Sequence, residues 1–190
     1  GRSRRRSNSG HGWRGRRGGS SAAHIKGRVS LSERPPDVAD RRTAGHWEAD
    51  LMLFRKYGQA VLAVHERHSR LLFATRPPNK AAQGVARHLR TLFANLPPEL
   101  RQTVTFDNGT EFARHRALHS LGIKTFFCDR YAPWQKGGIE NAIGRMRRHL
   151  PRKSDLAHMA DAQIRAAAAR YNNTPRKCLG WKTPAEAFYR

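Results

Sequence analysis

Trp47-Glu48-Ala49-Asp50-Leu51-Met52-Leu53-Phe54 alternates without a break. In an extended chain Trp47, Ala49, Leu51 and Leu53 share one face, and Glu48, Asp50, Met52 and Phe54 share the other. Two more strand candidates follow, Ala60–His65 and Leu71–Thr75, and the interruption at 66–70 is short enough for a hairpin. Three antiparallel strands therefore open the fold. A helix is expected from Lys80 to Asn95, with Val85, Leu89, Leu92 and Leu96 on its buried side, ended by Leu96-Pro97-Pro98. Thr103–Phe106 reads as a short buried strand closed by the turn Asp107-Asn108-Gly109. A helix from Glu111 to about Leu121 follows, and then a strand at Lys124–Cys128.

Beyond the loop 129–135, Gly137-Gly138 opens a basic helix running to about Leu150. Ile139, Ile143, Met146 and Leu150 form its apolar stripe. A last long helix spans roughly Asp155–Asn172, with Leu156, Ala160, Ile164, Ala167 and Tyr171 inward, and Pro184–Phe188 carries a short helical signal. The order β-β-β-α-β-α-β-α-α specifies an α/β fold with a five-stranded mixed sheet flanked by helices. In it the first strand can lie beside the fourth, and their neighbouring ends form a switch point, a favoured place for a site.

The chain has 190 residues, 37 Lys and Arg against 14 Asp and Glu, and a pI near 11.6. Such an excess points to a polyanionic partner, most often nucleic acid. Residues 1–30 hold nine basic residues and no acid, yet the imbalance persists in the remainder. The Arg/Gly/Ser-rich stretch 1–29 is expected to be a disordered basic tail, because it has too little apolar surface to repay its ordering. Residues 30–44 read as a linker, 45–173 as the folded domain and 174–190 as a C-terminal extension. The two cysteines, Cys128 and Cys178, have no metal-ligand spacing and read as reduced thiols of a cytoplasmic protein. No apolar run is long enough to span a membrane. The first residue is Gly rather than Met, as expected of a fragment of something longer.

Within this frame three acidic residues stand out. Asp50 lies in the first strand, Asp107 ends the fourth, and Glu140 sits alone on a basic helix. Taken singly, each has a bland reading: an ion pair on the sheet, a turn, an intrahelical pair. Taken together at one sheet edge, three carboxylates repel one another unless a cation neutralises them. Oxygen ligands of this kind suit Mg²⁺ or Mn²⁺, and a pair of such ions supports in-line phosphoryl displacement. Lys136, Arg145, Arg147, Arg148 and Arg152 surround Glu140 and are candidate contacts to DNA phosphates. Tyr131 and Trp134 are candidates for stacking on an unpaired base, although packing beneath their loop is the commoner fate of such aromatics. Glu48 shares the Asp50 face, and pairing with a nearby Arg is as good a reading as an electrostatic role. His65-Glu66-Arg67-His68 has the wrong spacing and setting for a zinc-protease helix. His115 and His119 read as a solvated helix face.

Three stretches carry a family resemblance: Gly45-His46-Trp47-Glu48-Ala49-Asp50, Thr105-Phe106-Asp107-Asn108-Gly109-Thr110-Glu111-Phe112, and 131–141 (YAPWQKGGIEN). Together they resemble the insertion-sequence-thirty family of bacterial transposases, within the retroviral-integrase-like superfamily. The likeness covers about residues 26–190 and includes Tyr171-Asn172-Asn173-Thr174-Pro175-Arg176. It implies an RNase H-like fold and a catalytic, metal-binding triad of Asp50, Asp107 and Glu140. It further implies cleavage of DNA at element ends, dependent on Mg²⁺ (or Mn²⁺), and attack of the freed 3′-hydroxyl on target DNA. A homo-oligomer assembled on DNA and a bacterial, nucleoid-associated location are also expected. Family members carry an upstream helix-turn-helix region that reads element ends, and no stretch here reads as one. Ile143 stands where relatives often carry Asn. A nuclease that only hydrolyses, or an inactive remnant that only binds DNA, are the competing expectations.

Overall fold

The computed structural model describes residues 25–189 apart from Tyr57 and Tyr131. Five strands form one sheet: β1 (His46–Leu53), β2 (Ala60–Glu66), β3 (Leu72–Thr75), β4 (Thr103–Phe106) and β5 (Lys124–Phe127). Their order is β3-β2-β1-β4-β5. The β1–β2 and β2–β3 pairs are antiparallel, and β1–β4 and β4–β5 are parallel. The first strand is thus central and neighbours the fourth, an arrangement the element order allows.

The alternation in β1 sorts two cores. Trp47, Ala49 and Leu51 face a cluster containing Val85, Leu89 and Phe93 of α1 (Ala82–Ala94). Met52 and Phe54 face a second cluster built from α2 (Gly137–Met146) and α3 (Asp161–Asn172). Leu53, expected on the first face, is exposed at the strand end. The stripe of the basic helix is buried at Ile139, Met146 and Leu150 and half-buried at Ile143, although regular α-helix stops at Met146. Within α3, Ile164, Ala167 and Tyr171 are buried, as is Leu156 ahead of it; Ala160 instead begins the helix and is exposed.

Two boundaries differ from the sequence reading. The helix expected over 111–121 is two 3₁₀ turns, Thr110–Phe112 and His115–Leu121. Neither turn has a side-chain N-cap, and Gly122 in the left-handed region ends the second. The tail expected over 1–29 lies outside the described residues as far as 24. Residues 25–29 are built into the fold: Ile25 is buried in the first core and the Val29 carbonyl accepts from Phe127 N. At the other end, α4 (Pro184–Phe188) returns Phe188 to the core, edge-on to Trp47 at 5.7 Å. Among the described residues no helix is long and apolar enough to cross a membrane.

Candidate active site

The parallel register of β1 and β4 sets Glu48 opposite Thr105. Continued two residues further, it brings Asp50 level with Asp107, just past the end of β4. Each aspartate is aimed by its own backbone. Asp50 Oδ1 accepts from Leu51 N at 2.8 Å, and Asp107 Oδ1 accepts from Gly109 N at 2.9 Å. The second oxygens converge on one cation: Lys136 Nζ donates to Asp50 Oδ2 at 2.7 Å and to Asp107 Oδ2 at 3.3 Å. Lys136 ends the 3₁₀ turn Pro133–Lys136 that leads into α2, and it is only 6 % exposed.

This arrangement departs from the expectation that Lys136 grips DNA from the surface. Its ammonium is committed to two carboxylates, because two acids meeting at a strand edge need a counter-charge and the start of α2 delivers one. Burial alone would lower the Lys136 pKa, but the charges of Asp50 and Asp107 and the bonds to them outweigh it and raise it. Asp50 is also pushed up. Burial is the main cause, and Asp107 adds to it, against the opposing pull of Lys136. The sequence reading passed over Glu111 as a separate contributor. It is half-buried, and its pKa is raised by burial, with the charges of Asp107 and Asp50 adding.

Glu140 lies one turn into α2 with its side chain exposed. It does not join the aspartates: among the described residues no group of three His, Cys, Asp or Glu side chains stands close enough to hold a metal ion. Like charges do not gather without a cation, and Lys136 bridges two of the three. The chemistry of the pair nonetheless suits a hard divalent ion. Two carboxylate oxygens on rigid elements already point at one positive centre, which is what such an ion requires of its protein ligands.

Glu48 behaves as an anchor. It is 1 % exposed, accepts from Arg67 Nε at 3.1 Å, and accepts from Ile139 N at 2.8 Å in the first turn of α2. One buried carboxylate thereby ties β1 to the helix carrying Glu140 and favours the positive end of that helix. The approach leaves no room for a side chain at Gly138, where a Cβ would lie 2.8 Å from Glu48 Oε2. That contact accounts for the second glycine of the pair.

Of the remaining expected contacts, Arg145, Arg148 and Arg152 are exposed. Arg147 is not free in the same way: its Nη2 donates to the Leu53 carbonyl at 2.6 Å, and its guanidinium lies over Phe54, 4.9 Å from the ring centre. The neighbouring end of β1 supplies both partners, so Arg147 pins α2 to the sheet. Trp134 is 75 % exposed, which overturns packing beneath the loop; Tyr131 lies outside the described residues. His115 is buried, not solvated, and shares the Thr125 hydroxyl with His119. In the zinc-like string, Glu66 accepts from Gly45 N and from Ser69 N and Oγ, while Arg67 pairs with Glu48, so its acid and base are structural.

The chain is similar to several known proteins. Residues 40–133 match the family described as integrase core domain. The chain is 37 % identical over 173 residues to the transposase for insertion sequence element IS1086 of Cupriavidus metallidurans, covering 90 % of this chain and 51 % of that one. It is 39 % identical over 176 residues to the Escherichia coli transposase InsI for insertion sequence element IS30A, covering 92 % and 46 %. The chain thus spans about half the length of the curated relatives it matches. Among solved structures, the catalytic core domain of BIV integrase superposes with a TM-score of 0.57 over 75 % of this chain and 92 % of that one. At 23 % identity, that likeness establishes the RNase H-like fold alone.

Proposed function

We propose that the chain, which matches the integrase core domain over residues 40–133 and is similar to insertion-sequence transposases, is the catalytic domain of a DDE transposase. In this reading it cleaves DNA at element ends and joins them to target DNA. The observation that carries the reading is the convergence of Asp50 and Asp107 on one buried cation at the β1/β4 switch point.

Asp50, Asp107 and Glu140 would hold the divalent ions, Mg²⁺ or Mn²⁺ and two in number. When bound, such ions activate the attacking 3′-hydroxyl and stabilise the leaving oxygen of an in-line displacement. The chain's own residues do the positioning. Leu51 N and Gly109 N fix the rotamers of the aspartates, and Glu48 holds the start of α2 against β1. Lys136 keeps the two carboxylates from repelling each other before cation and substrate arrive. Arg145, Arg148 and Arg152 hold the DNA backbone, and Trp134 offers an exposed ring to an unpaired base. Because two element ends are joined, at least two copies act together on DNA.

The test is an assay with a pre-cut DNA end, a target plasmid and Mg²⁺ or Mn²⁺. Joined products are expected. Nicks without joining would replace the reading with a nuclease, and Asp107→Asn leaving every activity unchanged would reduce the chain to a DNA-binding remnant.

A further inference from the structure

On the α2/α3 side of the sheet a cavity of about 330 Å³ opens at the start of α2, bordered by Gly137 and Gly138. Four arginines from four segments line it: Arg41 before β1, Arg70 of the β2–β3 turn, Arg145 of α2, and Arg176 beyond α3. Among the described residues no aspartate or glutamate lines it. Burial, and then the charge of Arg70, lower the Arg41 pKa; the carboxylate that opposes them is Glu48, whose oxygens are taken by Arg67 and Ile139 N.

The floor of the cavity holds polar atoms without partners. His65, in β2, is 2 % exposed, and its Nδ1 has no hydrogen bond; Arg176 is 9 % exposed, and its Nε has none. The other contacts of Arg176 are neutral: Nη2 donates to the Tyr171 carbonyl at 3.0 Å, and the guanidinium lies over the Tyr171 ring at 4.4 Å. Among the described residues Arg145 Nε donates to the Asn141 side chain alone, at 3.0 Å. Unsatisfied buried donors carry a desolvation cost, so each one asks for a partner. The backbone adds a second cost. Arg41 and Arg70 both lie in the left-handed region, at φ 61° and 66°, where side chains other than glycine are disfavoured. The fold therefore gathers like charges, leaves buried polar atoms unpaired and strains two arginines around one opening.

We propose that this cavity is an anion site that seats a backbone phosphate of a DNA strand, separate from the carboxylate pair. Arg41, Arg70 and Arg145 supply charge from the rim, and Arg176 Nε and His65 Nδ1 donate from the floor. The occupant is a phosphodiester because the cavity borders the helix that begins beside Lys136, so a strand held there passes the start of the catalytic helix. The inference rests on the DNA reading above, and its failure is separable from the failure of that reading.

The experiment compares the unmodified chain with the double variant Arg41→Gln, Arg70→Gln. Binding of a fluorescein-labelled duplex is followed by anisotropy over a salt series, and melting is followed with and without inorganic phosphate. Removing one phosphate contact lowers the slope of log K against log salt by about one unit, and that loss is expected in the variant for any duplex sequence. Phosphate is expected to raise the Tm of the unmodified chain and not that of the variant. In phosphate-free buffer the variant should melt no lower than the unmodified chain, since it has lost a repulsion. Exposed Cys178, which also lines the cavity, gives a readout without substitution: duplex DNA should slow its alkylation. An unchanged slope together with unprotected Cys178 would overturn the proposal. If the unmodified chain binds no DNA, the transposase reading fails. A phosphate-dependent Tm rise surviving in that case would leave a free-phosphate pocket and overturn the strand as occupant.

Discussion

Two charged sites meet at the start of α2, and they are balanced in opposite ways. On one side Asp50 and Asp107 share the Lys136 ammonium, so the chain neutralises its own carboxylates. On the other, four arginines and a buried, unpartnered imidazole line a cavity with no acid among the described residues that border it. The first site gives a cation little to gain until Lys136 lets go. The second stores repulsion that an anion relieves on arrival. Internal neutralisation thus decides which ligand finds its site ready, and here the polyanion does.

The comparison breaks first at Glu140. Exposed and without a hydrogen bond or ion pair among the described residues, it contributes nothing to folding that Gln could not. Glu140→Gln should leave Tm unchanged and cut joining by about 10³-fold or more, the scale on which single catalytic groups act. A variant that melts normally and joins normally would remove Glu140 from the site.

Glu48 sits between the two sites and should behave in the reverse way. Glu48→Ala strands the buried Arg67 guanidinium and unties α2 from β1, which costs about 3–5 kcal/mol by urea unfolding. A loss under about 1 kcal/mol would mean that water replaces the carboxylate.

Lys136→Met sharpens the carboxylate side. With the ammonium gone, Asp50 and Asp107 face each other unshielded, and Mn²⁺ titration should show affinity about tenfold higher, or about 1.4 kcal/mol, with lower stability in metal-free buffer. Equal Mn²⁺ affinity in both proteins would show that Lys136 does not compete for the position.

The arginine side can be read by pH. Burial, together with Arg70, Arg41, Arg67 and Arg176, pushes the His65 pKa down to about 3, against about 6.5 for a free imidazole. The unfolded chain therefore takes up a proton that the folded chain refuses. Stability present above pH ~6.5 should be lost as the pH falls toward ~3, at up to about 1.4 kcal/mol per unit. Burial lowers His46 and His115 in the same direction. His65→Gln should reduce the slope by one proton; an unchanged slope would mean that His65 is already charged in the folded protein.

Much of this architecture was legible before the structure. Alternation in β1 divided its residues between two faces, and the short hairpin and helical crossovers allowed β1 to lie beside β4. That adjacency is what brings Asp50 to Asp107. The balance of charges was not legible, because it depends on where long side chains end. Lys136 stands next to two glycines in a basic stretch and reads as a surface residue until the fold turns it inward. Arg147 reads as one more phosphate contact, yet the carbonyl at the end of β1 claims it. Arg41, Arg70 and Arg176 lie in loops far apart in sequence, and no local pattern links them. His65 did leave a trace: it continues the Val61, Ala63 face of β2, so a histidine was due among apolar neighbours. The exposed Trp134 ran against the ordinary fate of an aromatic in a loop.

The most direct measurement is a crystal structure of the chain soaked in Mn²⁺, with the ion located by anomalous scattering. The expected map shows Mn²⁺ between Asp50 and Asp107, Glu140 turned in as a ligand, and the Lys136 ammonium displaced. An ion bound elsewhere, with Lys136 still bridging the two aspartates and Glu140 still facing solvent, would contradict the assignment of these three carboxylates as one catalytic site.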